Sequence, residues 1–479
     1  MDGGRNSPLD RAWSTVTVSA VSTADPADLE PSLLYAQTYL SRRRPTYIDA
    51  AVLLSLMFVL LAVIPARLII PGTTDLGRPA LIVGFLLFFW WVVTRFSPSL
   101  MMPGPQPIRW AFFAFFGVLL IGYAAGFLRG LTSMESNAAD RTMLYFCVFG
   151  GAALTAADGL PNWFRLRTLL KVLVVSATFV AAFGVVEYVL HRDLSDYLVV
   201  PGLQAKGWVP VVEDRGGGIR VASTTSHYIE MAAYLALILP FAIHLAIFSR
   251  RPSRRWMPIL AAIIIAAGIA STISRTGILA VFIMVIAIVP LWTWRMRYNI
   301  GVLAVILFTG AMAASPGLIN TLLHLFDNPT QNSSIAVRYA RYPLAFKYIS
   351  QRPWLGRGTG TWVSPQYQIM DNQWLETLLS NGILGAVGYA ALHITAITVA
   401  WMALRRSTER EVRHLCAALI STQFMGLLVA ATFDSLAFLT YATTLALTVG
   451  LCGAAWRLTH PARMVRTSAT RRLLSGSST

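Results

Sequence analysis

The sequence predicts an all-α polytopic membrane protein with about twelve transmembrane helices and a large extracytoplasmic loop between the ninth and tenth spans. Three observations predict it. Of the 479 residues, 56% are hydrophobic and 13% charged, with a mean hydropathy of +0.59, a composition that cannot be solvated as separate soluble domains. The apolar residues gather into runs of roughly 17–25, long enough to cross a hydrocarbon core. Lys and Arg concentrate in alternate connections, which is the bias that orients membrane proteins.

The apolar runs lie near 48–70, 80–96, 108–128, 142–157, 168–190, 228–248, 257–273, 277–294, 299–315, 373–401, 413–433 and 435–456. The fourth reads as short, and the last two nearly meet at Asp434. With a cytoplasmic N-terminus, 25 of the 39 Lys and Arg residues fall inside and 14 outside, although the inside connections are the shorter ones. Both termini are therefore expected in the cytoplasm and the chain in the plasma (inner) membrane. The formal charge of +17 then mostly reflects this asymmetry, which argues against a nucleic-acid partner. Residues 1–44, rich in Asp, Ser, Pro and Ala, read as a disordered cytoplasmic arm, 45–460 as the membrane domain, and 461–479 as a basic cytoplasmic tail. The first apolar run starts near Ile48, too late for a cleavable signal peptide. Cys147, Cys416 and Cys452 lie in apolar runs and the seven histidines are scattered, so no metal site and no cofactor is expected.

Two outside loops stand out by length, at about 191–227 and 316–372. Loops longer than about 15 residues in a compact protein are usually functional or disordered. The second carries Tyr339, Tyr342, Phe346, Tyr348, Trp354 and Trp362 at partly helical spacing, so it is expected to fold and to lie on the membrane surface. The first ends in Gly216-Gly217-Gly218, which reads as a flexible approach to the next span. Near the outer span ends sit Arg220, Arg275, Arg338, Arg341 and Arg357. Arg275 occupies a tight hairpin at membrane depth, where a charge is costly and marks a functional site by default. Guanidinium forks match phosphate oxygens bidentately, so converging arginines suit a lipid-linked diphosphate. The alternative is that each arginine merely snorkels to headgroups.

Asp371 and Asn372 precede the tenth span. Asp371 reads either as a helix cap or as a general base for a sugar hydroxyl. Glu376, about one and a half turns on, points to a different face. His227 and Glu230 begin the sixth span close to Arg220. Glu187 and Asp434 read as structural partners of arginines, and His244 and His393 as hydrogen-bonded packing residues.

Four separated stretches resemble the bacterial O-antigen ligase and O-antigen polymerase superfamily. They are IRVASTTSHYIEMAAYLALILPF at 219–241, STISRTGILA at 271–280, the run from Arg338 through RPWLGRGTGTW, and DNQWLETLLSNGILGAVGY at 371–389. They occur in family order and cover about residues 200–400. The resemblance implies transfer of a glycan from a polyprenyl-diphosphate carrier to an acceptor hydroxyl at the outer face, without a metal or nucleotide. It implies that Arg220, Arg275 and Arg338 hold the diphosphate. Arg341, Arg357, His227, Glu230, Asn372 and Glu376, beside the same span ends, are the further candidate substrate contacts. The family's His before Asn is here Asp371, which either serves as the base or only orients the acceptor; the change favours a polymerase over a lipid A-core ligase. A diphosphate departing from fixed cations leaves the hydroxyl to attack from the opposite face, so inversion is expected. Two other classes remain: a transporter or flippase for lipid-linked sugars, and an inactive scaffold in a glycan-assembly complex. Transporters tend to carry internal repeats and broken helices; the sequence displays no repeat, and its polar groups cluster on the outer side.

Overall fold

The computed structural model describes residues 49–73, 75–96, 105–206, 213–215, 218–249, 252–314, 333–364 and 366–460. The arm at 1–44 and the tail at 461–479 lie outside the described residues. Thirteen α-helices are described: α1 Ala50–Val63, α2 Pro79–Thr94, α3 Pro107–Arg129, α4 Ser133–Gly159, α5 Trp163–Leu190, α6 Tyr228–Ile247, α7 Trp256–Ser271, α8 Arg275–Ile288, α9 Trp294–Ala314, α10 Ser333–Gln351, α11 Gln373–Arg406, α12 Arg410–Val429 and α13 Leu439–Leu458. Seven of them, α3, α4, α5, α6, α11, α12 and α13, are long and apolar enough to cross a membrane. The chain is thus a helical, multi-pass membrane protein. Each of the twelve apolar runs contains a helix, and the thirteenth, α10, lies in the second long loop.

Local sequence explains where the helices begin. Asp49 caps α1, Asn162 caps α5, and Pro79 and Pro107 open α2 and α3 with a ring that needs no hydrogen-bond partner. The fourth run is not short. α4 has 27 residues because Thr132 and Glu135 form a reciprocal capping box well before the apolar stretch, and hydropathy alone misses its polar first turns. The prediction of purely helical structure also needs a small correction. Strand β1 (Leu68–Ile69) pairs antiparallel with β2 (Gln204–Ala205), and β3 (Glu213–Arg215) with β4 (Gly218–Arg220). The stretch read as a flexible approach to α6 is therefore, at Gly218, part of a hairpin.

α13 and α6 form the centre; 94% and 83% of their most apolar windows are buried. α13, rich in Thr, Ala and Gly, packs against α4, α11, α12 and α6, the close small-residue packing expected where lipid gives no hydrophobic drive to helix association. At one end of the bundle, Asp158 accepts from Arg95 (2.5 Å), Arg109 (3.0 Å) and Trp91 (3.0 Å), and Arg165 pairs with Asp49 (2.5 Å). Buried Arg457 donates to the carbonyls of Ala157 and Leu160, satisfying the end of α4. His244 and His414 pair at 3.2 Å and His393 bonds Gln423 at 2.9 Å, the packing roles expected for His244 and His393.

α11 is broken. Gly382 has φ 64° and ψ −162° inside it. The loop after α10 fills the break: Arg357 N and Gly358 N donate to Leu379 O (2.8 Å) and Ser380 O (2.9 Å), while Ile383 N donates to Pro353 O (2.8 Å). Gly356 has φ +64°, and a Cβ there would stand 2.5 Å from the Ser380 carbonyl carbon. Gly356→Ala therefore combines left-handed strain with overlap against backbone and should cost about 2–4 kcal/mol. Thermal unfolding of the detergent-solubilised protein checks this; an unchanged midpoint would refute it.

Candidate functional site

The turn between α12 and α13, residues 430–438, joins the site together. Gln373 N donates to Ala430 O (2.8 Å) and Phe433 O (3.2 Å), and Leu436 N donates back to Gln373 Oε1 (2.7 Å). Asp434 accepts from Asn372 N (2.7 Å) and Asp371 N (3.3 Å). Thr432 and Thr276 hydroxyls meet at 3.1 Å, which brings the start of α8 and Arg275 to the same turn. Phe438 packs on the His227 ring at 5.6 Å, His227 lies against Tyr228 at 4.0 Å, and the Arg220 guanidinium stacks 4.3 Å over Tyr228. Arg220 is buried and Arg275 half-buried.

On one side of this turn stands Asp371. Its φ of +51° is unusual for a residue with a side chain. Its carboxylate accepts from Arg341 Nη1 at 3.0 Å and lies 3.7 Å from Arg338 Nε, both on α10. Arg341 also donates to Ile369 O. Asp371 is not the helix cap. That place belongs to Asn372, whose Oδ1 accepts from Trp374 N (3.0 Å) and Leu375 N (3.3 Å). The carboxylate of Asp371 thus faces cations rather than its own helix.

On the other side a cavity of about 510 Å³ opens between α3, α4, α11, α13 and the two long-loop segments. Its polar lining includes Arg67, Arg78, Arg141, Lys206, Gln373, Glu376, Thr377 and Asn381, and its apolar lining Phe115, Phe146 and Phe149. Glu376 faces this space, and Gln373 Nε2 donates to it at 2.7 Å. Glu376 and Asp371 do point to different faces.

Other expected site residues are taken up by structure. Glu230 is fully buried and accepts from Ser226 N (2.8 Å), Ser226 Oγ (2.5 Å) and Thr440 N (2.6 Å). His227 caps α6 through Ile229 N (3.2 Å). Arg357 leaves the arginine group: it donates to Tyr367 Oη (2.7 Å) and lies 4.0 Å from Glu135, which pairs with Arg129 at 2.8 Å. Glu187 and Asp434 were expected to pair with arginines. Instead Glu187 accepts from the N–H groups of Leu194 (3.1 Å) and Ser223 (3.0 Å), and Asp434 from those of Asp371 and Asn372. Both connect loops to helix ends, a task backbone N–H groups perform as well as guanidinium. Sequence reasoning missed Arg78 and Arg141. Both belong to the outside basic set, but Arg78 is not among the arginines singled out near the outer span ends, and Arg141 lies just before the fourth apolar run, in the polar part of α4.

Residues 260–390 match the family model described as O-antigen ligase. The chain carries an O-antigen ligase domain. The match covers about a quarter of the chain and supports the O-antigen ligase and polymerase superfamily and, at family level, O-antigen-ligase-like glycan transfer. No curated protein gives a significant match. The ligase domain contains Arg275, Arg338, Arg341, Arg357, Asp371, Asn372 and Glu376, but not Arg220, His227 or Glu230.

Burial pushes the Asp434 carboxyl up to about 6; the Asp371 charge adds to this, and the Asn372 and Asp371 N–H groups and Arg338 oppose it. An ordinary Asp titrates near ~3.9. A folded-state pKa above that value contributes stability present below about pH 4 and lost as pH rises through about 6. The solubilised protein should gain thermal stability on going from about pH 7.5 to about pH 5. Asp434→Asn should remove part of that gain; identical pH slopes in both proteins would contradict the assignment.

Proposed function

We propose that the protein transfers a glycan from a polyprenyl-diphosphate carrier to an acceptor sugar hydroxyl on the outer face of the bacterial plasma membrane. The proposed topology has about twelve spans and both termini in the cytoplasm. The observation that carries the reading is the grouping around the 430–438 turn: Asp371 held between Arg338 and Arg341, with the start of α8 and Arg275 against the same turn. In this reading Arg220, Arg275 and Arg338 bind the diphosphate, and Arg341 orients Asp371.

The acceptor oxygen attacks the anomeric carbon, the bond from that carbon to the diphosphate oxygen breaks, and the electron pair leaves with the diphosphate. Fixed guanidinium groups stabilise the charge that develops there. Asp371 takes the acceptor proton, and attack opposite the leaving group inverts the anomeric centre. Arrival of the diphosphate would draw Arg338 and Arg341 toward its oxygens and release the carboxylate to act as a base. Asp371 in the family's His position favours chain extension over transfer to lipid A-core.

The break at Gly382 is the one feature that favours a transporter, since transporters coordinate cargo at broken helices. Here, however, the carbonyls of Leu379 and Ser380 are occupied by the glycine loop rather than left open to a ligand.

The test supplies purified protein with a polyprenyl-diphosphate glycan from its host and follows carrier release and product size. Arg275→Ala should lower release by about 100-fold or more, the scale seen when one charge-stabilising donor is removed. Asp371→Asn should cut the rate similarly, and a ladder of products would identify a polymerase, one discrete product a ligase. Full activity of Asp371→Asn would exclude Asp371 as base, and flipping of the intact lipid-linked glycan in liposomes without carrier release would favour transport.

A further inference from the structure

We propose that the cavity between α3, α4, α11 and α13 is a glycan subsite selective for an acidic sugar unit, and that Arg78 and Arg141 recognise its anion. The proposal rests on the transfer reading above and names the acceptor class: a saccharide bearing a carboxylate or a phosphate substituent.

Four cations line the cavity, and they are not equivalent. Lys206 pairs with Asp75 at 2.5 Å, and Arg67 with Asp196, which holds the β1–β2 segments together at the rim. Among the described residues neither Arg78 nor Arg141 forms an ion pair. Arg78 is 5% exposed and lines the cavity. Its side-chain contact is a neutral one, from Nη2 to Thr440 Oγ1 at 3.2 Å. Glu230 lies behind Thr440, but its oxygens accept from Ser226 and from the Thr440 and Tyr441 N–H groups. Among the described residues, Arg141 Nε donates to the Asn137 carbonyl, at 3.3 Å. A guanidinium as deeply buried as that of Arg78 and without a carboxylate in contact is costly. An anionic ligand at the cavity wall offsets that cost through charge-assisted, bidentate hydrogen bonds.

The remaining lining fits a sugar. Gln373, Glu376, Thr377, Asn381 and Thr359 offer hydroxyl partners, and Phe115 and Phe146 an apolar face for a pyranose ring. The volume, about 510 Å³, lies within the range of roughly 300–1,000 Å³ usual for small-molecule sites. The position suits an acceptor. Gln373, Leu436 and Ala437 line the cavity, while Asp371, two residues before Gln373, faces Arg338 and Arg341. Donor diphosphate and acceptor sugar would thus meet across one turn of α11.

The test is direct binding to the full chain in detergent, so it does not depend on turnover. Calorimetry compares three trisaccharides that share a skeleton: one with a terminal uronic acid, one with a phosphate substituent, and one neutral. The acidic compounds should bind at least about ten-fold tighter than the neutral one, as one charge-assisted contact implies, and lose that margin in high salt. Arg78→Gln should erase the margin while leaving neutral binding unchanged. Arg141→Gln, at a less buried position, should reduce it and guards against misfolding of the first variant. Preference for the uronic acid over the phosphate, or the reverse, identifies the source of the anion. Equal binding of acidic and neutral compounds, or an undiminished margin in both variants, would overturn the proposal. Failure of glycan transfer with this margin intact would refute the transfer reading alone.

Discussion

A helix broken inside a membrane bundle exposes peptide groups that water cannot reach, and each must find a partner in the protein. At Gly382 the partners come from residues 353–358: two N–H groups enter to meet the carbonyls of Leu379 and Ser380, and the Pro353 carbonyl accepts from Ile383. This exchange ties the second long loop to α11 as firmly as a strand is tied into a sheet. Thr359 continues the attachment by donating to the Leu119 carbonyl of α3 at 2.7 Å. The segment of α11 before the break is consequently fixed by the loop on one side and by the 430–438 turn on the other. Every group assigned a chemical role at the start of α11 depends on that double attachment, because the first turn has no long helix behind it to hold its direction.

The same geometry separates two kinds of positive charge. Arg338 and Arg341 come from α10 and engage Asp371, whereas Arg78 and Arg141 come from the starts of α2 and α4 and face the cavity. The 430–438 turn stands between them, and its Asp434 is bonded to main-chain N–H groups rather than to either set. A carboxylate used in this way fixes position without neutralising nearby guanidinium groups. The division matters for a reaction with two anionic participants, since one undivided cluster would let donor and acceptor compete for the same cations.

Much of the architecture was legible in the sequence because membrane spans are written in composition: each of the twelve apolar runs contains a helix. The start of α4 was not, because its first turns are polar and a capping box leaves no trace in hydropathy. At the site, Asp371, Arg338 and Arg341 could be picked out as charges beside span ends, and the structure brings them together. Their partners could not be read. Arg341 read only as one of five arginines near outer span ends, and in the structure a left-handed residue turns Asp371 toward it. Arg357 read as one of the same group, yet its side chain is directed to Tyr367 and Glu135. The cavity was the least legible feature, since its walls come from six or more separated segments and no single stretch carries its pattern.

The left-handed backbone of Asp371 connects these observations. A non-glycine residue at φ +51° costs of order 1–3 kcal/mol and persists only where its surroundings over-determine it. Here they do: Asp434 holds the Asp371 amide, Asn372 caps the helix that follows, and Arg341 binds both the Asp371 carboxylate and the Ile369 carbonyl. Had Asp371 taken the cap position itself, its carboxylate would lie over the N-terminus of α11 and no strain would be needed. Placing the cap one residue later leaves the carboxylate directed at α10. The strain is therefore the cost of pointing an acid away from its own helix dipole and toward two guanidinium groups, an arrangement that packing alone does not require.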